Sequence, residues 1–463
     1  MSISIRSCAF LATVAFAACA KTEGNGASTD TNATASSTMV ASSAACPGGN
    51  GGLTLPPGFC ATVFADSIGH ARHIAVNSNG DVYVNTWSGQ YYTTPAHPGG
   101  FIVALRDTNN DGVADIVRRF GPDSLQGNKG GTGIAIYNGS LYAEEDAAGA
   151  AKIVRYAIST DSITPSSPKS TTILSGLPVS GDHPMHPFAI GQAGDMYVDL
   201  GSPSNSCQIK NRTLESPGRK PCPDLATRAG IWKYDANKTN QRFSSAARYA
   251  TGIRNAVGIA FDAGGQLYST QHGRDQLGDN WPKLFTSEQG QNLPAEELLK
   301  IEKGGDYGWP YCYYDGSQQK LVLAPEFGGD GKTLGECASK KDPEAYFPAH
   351  WAPDGLLFYT GSSFPAEYKG GAFIAFHGSW NRAPGAQQGY NVVFVPFTAG
   401  RPVNASQYNV FANGFAGGPL TPVSNDKAAH RPAGLGQGPD GALYISDDKA
   451  GRVWKVVYKG SGK

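Results

Sequence analysis

The chain is short of net charge, of long apolar runs and of paired-cysteine motifs, and each shortage excludes something. Its 38 basic residues are matched by 38 acidic ones. A balanced chain offers no general attraction to nucleic acid or to an anionic membrane surface. There is no Cys-x-x-Cys, which argues against a zinc or thiol-redox site, and no Cys-x-x-Cys-His for covalent haem. Beyond the first residues no apolar run reaches the ~18 residues that span a bilayer. The Gly-rich "GNKGGTG" at 127–133 is followed by a hairpin pattern rather than a helix, so a dinucleotide site is not supported.

Turn formers are what the chain has in excess. Its 463 residues include 60 Gly and 30 Pro, which disfavour long helices and favour many short strands. The length fits one large closed β architecture. One pattern recurs: "NGDVYVNT" from 79, "NGSLYAEE" from 138, "AGDMYVDL" from 193, "GGQLYSTQ" from 264, "GGAFIAFH" from 370 and "DGALYISD" from 440. Each is a Gly turn followed by an apolar and aromatic strand, and several have an apolar strand before the turn. Such units are hairpins, and six of them predict an all-β, six-bladed β-propeller. "GRVWKVVYK" at 451–459 is placed to close the ring against "FCATVFA" near the start. One inter-strand insertion, "NLPAEELLKIEKGG", is expected to form a short helix, with Pro294 in its first turn and Gly304 after its end.

The first residues, "MSISIRSCAFLATVAFAACAK", have Arg6, an apolar run and small residues up to Cys19, the pattern of a secretory signal. "FAAC" at 16–19 is similar to a bacterial lipobox, which would lipidate Cys19 and anchor the chain to a membrane; the alternative is an ordinary cleaved signal. The small, polar residues that follow read as a flexible tether. The expected organisation is a signal or lipoprotein segment over 1–19, a linker over 20–48 and a propeller domain over 49–463. Apart from Cys8 and Cys19, six cysteines remain as three local pairs: Cys46 with Cys60, Cys207 with Cys222, and Cys312 with Cys337. An oxidising periplasm allows three disulfides; six cysteines admit many connectivities, and nearest-neighbour pairing is the expectation.

Residues that carry chemistry cluster where strands end. "SGDHPMHPFAIG" at 180–191 sets Asp182, His183 and His186 between prolines. His183 is there to move a proton, to bind a metal or to fill space; with no third ligand evident nearby, a zinc pair is disfavoured, and His186 reads as structural. Arg254 and Asn255 precede an apolar strand, and "QHGRDQ" follows the next one. "AHWAP" at 349–353, "FHGSWNR" at 376–382 and "HRP" at 430–432 occupy similar strand ends. Arginines 254, 382 and 431 converging on a channel would suit a planar polyanion, with Trp380 as a stacking face. "DTNNDGVAD" at 107–115 has calcium-loop spacing, but its twelfth position is Arg118 rather than Glu, so it reads as an Asx-rich turn.

These pieces, with "ARHIAV", "DMYVDLGSPSNSC", "GIRNAVGIAF", "GGDYGWPYC" and "HRPAGLGQGPDG", resemble the glucose/sorbosone dehydrogenase family, propeller enzymes that use pyrroloquinoline quinone (PQQ). The resemblance runs from about 53 to 459. It implies that His183 is a catalytic base with Asp182 as its acidic neighbour, and that Arg254 stabilises charge on the reduced quinone. It implies cofactor contacts from Asn255 and Arg431, and a calcium ion held by the backbone carbonyls of Gly273 and Arg274. Arg72, His350, His377, Trp380 and Arg382 lie in segments similar to cofactor-facing ones. The implied activity is oxidation of a sugar, with electrons passed to a quinone or cytochrome in the periplasm. The glucose-oxidising branch carries a lysine in the loop where this chain has "FHGSWNR" and a proline where it has Arg274. The motifs are closer to the sorbosone- and pyranose-oxidising branch. The rival readings are a calcium-dependent lactonase, which needs carboxylates and amides in the channel rather than arginines, and a non-catalytic binding propeller.

Overall fold

The computed structural model describes residues 46–460 except 90–98, 125–126, 148, 168 and 422–426. The expected signal segment, Cys19 and the linker as far as residue 45 lie outside the described residues. Six sheets follow one another along the chain: five are four-stranded and antiparallel, and the second has six strands, one pair of them parallel. Blade one is Ala71–Val76, Val82–Thr86, Ile102–Arg106 and Ile116–Phe120; blade two begins at Ile134–Tyr137, blade three at Phe188–Ile190, blade four at Ile259–Phe261, blade five at Pro353–Phe358 and blade six at Pro432–Gln437. The innermost strand of each blade touches that of the next, and the sixth touches the first, so the six form a closed ring. This is the expected six-bladed propeller.

Each recurring sequence unit is the turn and second strand of one blade. The turn needs a left-handed residue, and the same glycine supplies it in every repeat, from Gly80 (φ +90°) to Gly441 (φ +77°). The second strand of each blade is nearly all buried, which is why the repeats read as apolar runs rather than as alternation. Closure comes from sequence ends meeting. Phe59–Ala65 pairs antiparallel with Val453–Tyr458, so the fourth strand of blade six is the first strand of the chain. The ring therefore has no open edge at this seam.

The segment expected as a helix is a strand. Glu296–Lys300 is the third strand of blade four, with Glu296 opposite Phe347 and Tyr268 opposite Lys300. Leu298 and Leu299 are both fully buried, one on each face, a demand that overrides the helical preference of Glu, Leu and Lys. A helix does form just before it, Ser287–Asn292, started by a capping box between Thr286 and Gln289. The cysteines pair as nearest neighbours: Cys46–Cys60, Cys207–Cys222 and Cys312–Cys337. The loop at 107–115 is closed by its own side chains, with Asp107 accepting from Gly112 N at 2.9 Å and Asp115 from Thr108 N at 2.7 Å. Among the described residues no helix is long and apolar enough to cross a membrane.

Phe59 anchors the seam. Its ring meets Phe364, Phe411, Tyr368 and Tyr458 at centroid distances of 4.8–5.3 Å, mostly edge-on. Phe59→Ala should lower stability by about 3–5 kcal/mol, read as a loss in thermal or denaturant midpoint. An unchanged midpoint would mean that closure does not rest on this cluster.

Candidate active site

Two kinds of strand end meet at one mouth of the ring: the starts of the innermost strands and the ends of the second strands. Arg72, Arg254, Asp354 and Arg431 stand at or just before the former, and Trp87, His272, His377 and Asp448 just beyond or at the latter. They line a cavity of about 820 Å³, together with Asp182, His183, Arg212, Asn255, Gly273, Asp275, Glu296, His350, Trp380 and Lys449.

His183 is buried, and its Nδ1 lies 2.7 Å from the carbonyl of Ser202 and 3.1 Å from its hydroxyl. A carbonyl only accepts, so Nδ1 carries the proton and a neutral ring keeps its lone pair at Nε2. Burial, and then the charge of Arg254, hold its pKa well below the usual 6.5. The loop under it is clamped by Arg228, which is buried and donates to the carbonyls of Gly201 at 2.6 Å, Ser180 at 2.9 Å and His183 itself at 2.6 Å. His186 points away from this work. Its backbone N and Nδ1 both lie against Glu144 Oε1, at 2.9 and 3.0 Å, and its Nε2 lies 3.1 Å from the carbonyl of Pro178.

Arg254 is fully enclosed by acceptors. Its Nε and Nη2 donate to the backbone and side-chain oxygens of Asn205, its Nη1 to the carbonyl of Gly273 at 3.0 Å, and its Nη2 also to Asp275 at 2.9 Å. Burial would raise the Asp275 carboxyl, but Arg254 and Arg212 outweigh it and hold it below the ordinary carboxylate range. On the opposite wall Arg72 bridges Asp354 and Asp448, the former at 3.0 Å. His377 Nε2 lies 2.7 Å from the second oxygen of Asp448, and His272 Nε2 lies 3.1 Å from Asp354. Arg431 donates to the carbonyls of His377 and Gly378 and sits over the ring of Tyr390.

The cavity thus brings together Asp182, His183, Arg254, Asn255, Arg72, His350, His377, Trp380, Arg431 and Gly273. It does not bring in Arg382, which is buried against the carbonyls of Gln291 and Ala349 and the side chain of Asn292. The Arg274 side chain also turns away, to a two-bonded pair with Glu326 at 2.5 and 2.6 Å. Asp182 has its carboxylate on Arg212, 3.0 Å away. Among the residues not foreseen are the acids Asp275, Glu296, Asp354 and Asp448, together with Arg212 and His272. Asp448 directly follows the sixth repeat and Asp354 opens a blade, so strand-end position was the signal that could have found them.

The sequence pattern of the TrAA12-like family matches residues 53–459. The chain belongs to this family. A Borreliella burgdorferi protein described as uncharacterized is 32% identical over 213 residues, 45% of this chain and 48% of that protein. A PQQ-dependent pyranose dehydrogenase of Coprinopsis cinerea is 27% identical over 250 residues, 46% of this chain and 31% of that protein. The matches therefore span about half or less of these relatives. Among solved structures, the PQQ domain of the Coprinopsis cinerea pyranose dehydrogenase in its holo form superposes with a TM-score of 0.67 at 20% identity, over 88% of this chain and 97% of that one. A calcium structure of the Trichoderma reesei family AA12 enzyme superposes equally well, TM-score 0.67 at 20% identity, over the same shares of each chain. These likenesses establish that the TrAA12-like chain shares their propeller.

Two adjacent acids of blade four, of which Glu296 lines the cavity, are held protonated well above the ordinary carboxylate range. Burial pushes the Glu296 carboxyl up to about 7 and that of Glu297 up to about 8, against an ordinary 4.5. A raised carboxyl pKa means that the folded chain holds protons the unfolded chain has released, so stability is full below about 4.5 and is lost as pH climbs through 7–8. Glu297→Gln keeps an acceptor for Gln271 Nε2, now at 2.9 Å, and should flatten this loss. Melting temperatures at pH 5, 7 and 9 check it: the variant should gain on the wild type at pH 9 but not at pH 5.

Proposed function

We propose that this TrAA12-like chain is a PQQ-dependent sugar dehydrogenase of the pyranose- or sorbosone-oxidising kind. The observation that carries the reading is a neutral, carbonyl-oriented His183 sharing one cavity with the buried guanidinium of Arg254. The space supports it, since a cavity of about 820 Å³ holds a tricyclic quinone with a sugar against it. So do two acceptors without partners, Asn255 Oδ1 and Asn381 Oδ1, both buried on lining residues. When bound, PQQ supplies the two-electron acceptor. Arg72, Asn255, His350, His377, Trp380 and Arg431 would hold it, the arginines through carboxylate pairing and Trp380 through its exposed ring. Calcium would sit on the carbonyls of Gly273 and Arg274 as an oxygen-ligated cation. Gly273 lines the cavity, and its carbonyl, which accepts from Arg254 Nη1 at 3.0 Å, keeps a second lone pair for the ion.

In this reading His183 takes the proton of the sugar hydroxyl at Nε2, while Ser202 holds the ring and Arg228 the loop. Arg254 offers its charge where negative charge develops on the acceptor. Asp182 stands at the mouth, paired with Arg212, as a partner for sugar hydroxyls. Electrons would leave to a quinone or cytochrome. The signal segment over 1–19, the linker over 20–48 and three disulfides support a periplasmic enzyme, anchored if Cys19 is lipidated. A calcium lactonase is less well supported, because its carboxylates must be open to the ion, and Asp354 and Asp448 are already bridged by Arg72.

The test is dye reduction by the full chain loaded with PQQ and calcium, across aldoses, ketoses and sorbosone. Activity that vanishes with a chelator and returns with calcium is expected; no turnover and no PQQ binding by calorimetry would reject the reading. His183→Ala should cut kcat by about 10²–10⁴-fold while leaving the PQQ dissociation constant nearly unchanged. Normal turnover in that variant would remove its role as base. Arg431→Ala should weaken PQQ binding about tenfold, the worth of one charge-assisted contact; an unchanged constant would take it out of the cofactor site.

A further inference from the structure

Arg212 lies outside every motif that pointed to the site, yet its side chain spans the mouth. It sits on the loop stapled by Cys207–Cys222, in a left-handed backbone conformation (φ +55°) that a non-glycine residue adopts at a cost. That conformation turns the side chain inward. Its Nε donates to Asp182 at 3.0 Å, its Nη2 reaches both Asp182 and Asp275 at 3.0 Å, and its Nη1 donates to Gln276 Oε1 at 3.1 Å. Asp182 adjoins His183 in the chain, while Asp275 is the carboxylate that pairs with Arg254 at 2.9 Å. The guanidinium also faces the ring of Trp380, 6.0 Å from its centroid. One side chain thus links the loop of the proposed base to the partner of Arg254.

We propose that Arg212 is a positioning residue: its fork sets the distance between the loop of His183 and the Arg254–Asp275 pair, and it narrows the way to His183. Lysine has a point charge where arginine has a planar fork, so it cannot hold two carboxylates and an amide at once. The pairing is partly exposed and contributes little to stability by itself. What it supplies is alignment, where a misplacement of ~1 Å costs on the order of 10²-fold in rate. The kinetic half of this inference rests on the sugar dehydrogenase reading; the accessibility half does not.

The test compares full-length wild type, Arg212→Lys and Arg212→Ala. In the cofactor-free protein, the rate at which diethyl pyrocarbonate modifies His183, followed by mass spectrometry, should rise in the order wild type, Lys, Ala, with melting temperatures unchanged. Equal rates would overturn the inference. If Arg212→Ala does not fold, the wild-type and Lys proteins carry the comparison. In the PQQ-loaded enzyme kcat should fall by about tenfold or more, within the ~10²-fold expected of misalignment, and KM for the sugar should stay nearly constant. A rise in KM with kcat intact would make Arg212 a substrate contact and overturn the positioning role. A wild type without turnover would count against the dehydrogenase reading alone, and the modification rates would then decide for Arg212.

Discussion

A buried guanidinium must be paired, and the centre of this propeller is arranged around that demand. Closing six blades into a ring brings strand ends together at the axis, where backbone groups and charged side chains are removed from water. Arg72 on blade one meets the demand with Asp354 of blade five and Asp448 of blade six. Arg254, between blades three and four, meets it with Asp275 and three other acceptor contacts at Asn205 and Gly273. Removing one partner from such a pair leaves an uncompensated buried charge at a cost of several kcal/mol. The pairs therefore fix which blades lie next to one another at the mouth as well as the local charge. Those of Arg72 sit where blades five and six meet blade one, the side of the ring on which Phe59–Ala65 completes blade six.

Around the pairs, fully satisfied polar contacts set the orientation of the groups with chemistry to do. Glu144 of blade two receives the backbone N–H groups of Thr132 and Gly133 and both donors of His186. Burial alone would raise the Glu144 carboxyl, and these donors hold it below its usual value instead. The loop of His183 is thus tied to blade two through His186 and to blade three through Arg228. Neither tie touches the cavity, yet both limit how far the imidazole can move, which is what the proposed role as proton acceptor needs more than a shifted pKa. A similar relay runs from Glu297 through Gln271 to the backbone of Arg254, at 2.9 and 2.8 Å.

How much of this the sequence disclosed follows from what each signal depends on. The propeller was legible because the Gly turn and the buried second strand repeat in every blade, and both are local properties. The closing strand was legible because an unpaired apolar segment stood at each end. The segment at 294–304 was misread because Glu, Leu and Lys favour helix locally, while the pairing of Glu296 with Phe347 is non-local. Within the site, His183, Arg254, Asn255 and Arg431 were legible from their motifs. Arg382 was misplaced because its motif gives a position on the loop, not a direction: the side chain faces the 290s segment, away from the cavity. The acids were missed because carboxylates at strand ends are common, and only the fold shows that each stands opposite a guanidinium. Arg212 had no signal, since its inward turn depends on a strained φ and a disulfide.

The balance of charge in the cavity bears on what can enter it. Arg72, Arg212, Arg254, Arg431 and Lys449 face Asp182, Asp275, Glu296, Asp354 and Asp448, so the lining is close to neutral before any ligand arrives. Burial of Glu296, with its carboxyl titrating near 7, removes part of one negative charge at neutral pH. A polycarboxylate entering such a site finds Arg72, Arg212 and Arg254 committed to acids of the chain, while Arg431 donates to the carbonyls of His377 and Gly378. It must share them, and it is then left with negative charge uncompensated in a space of reduced dielectric. A divalent cation arriving with the ligand resolves this without breaking the pairs that hold the blades together. In the proposed reading the neutral carbonyls of Gly273 and Arg274 would ligate such a cation and add no charge of their own. The proposed pairing of PQQ with calcium is consistent with this balance, since the two arrive with charges that offset one another.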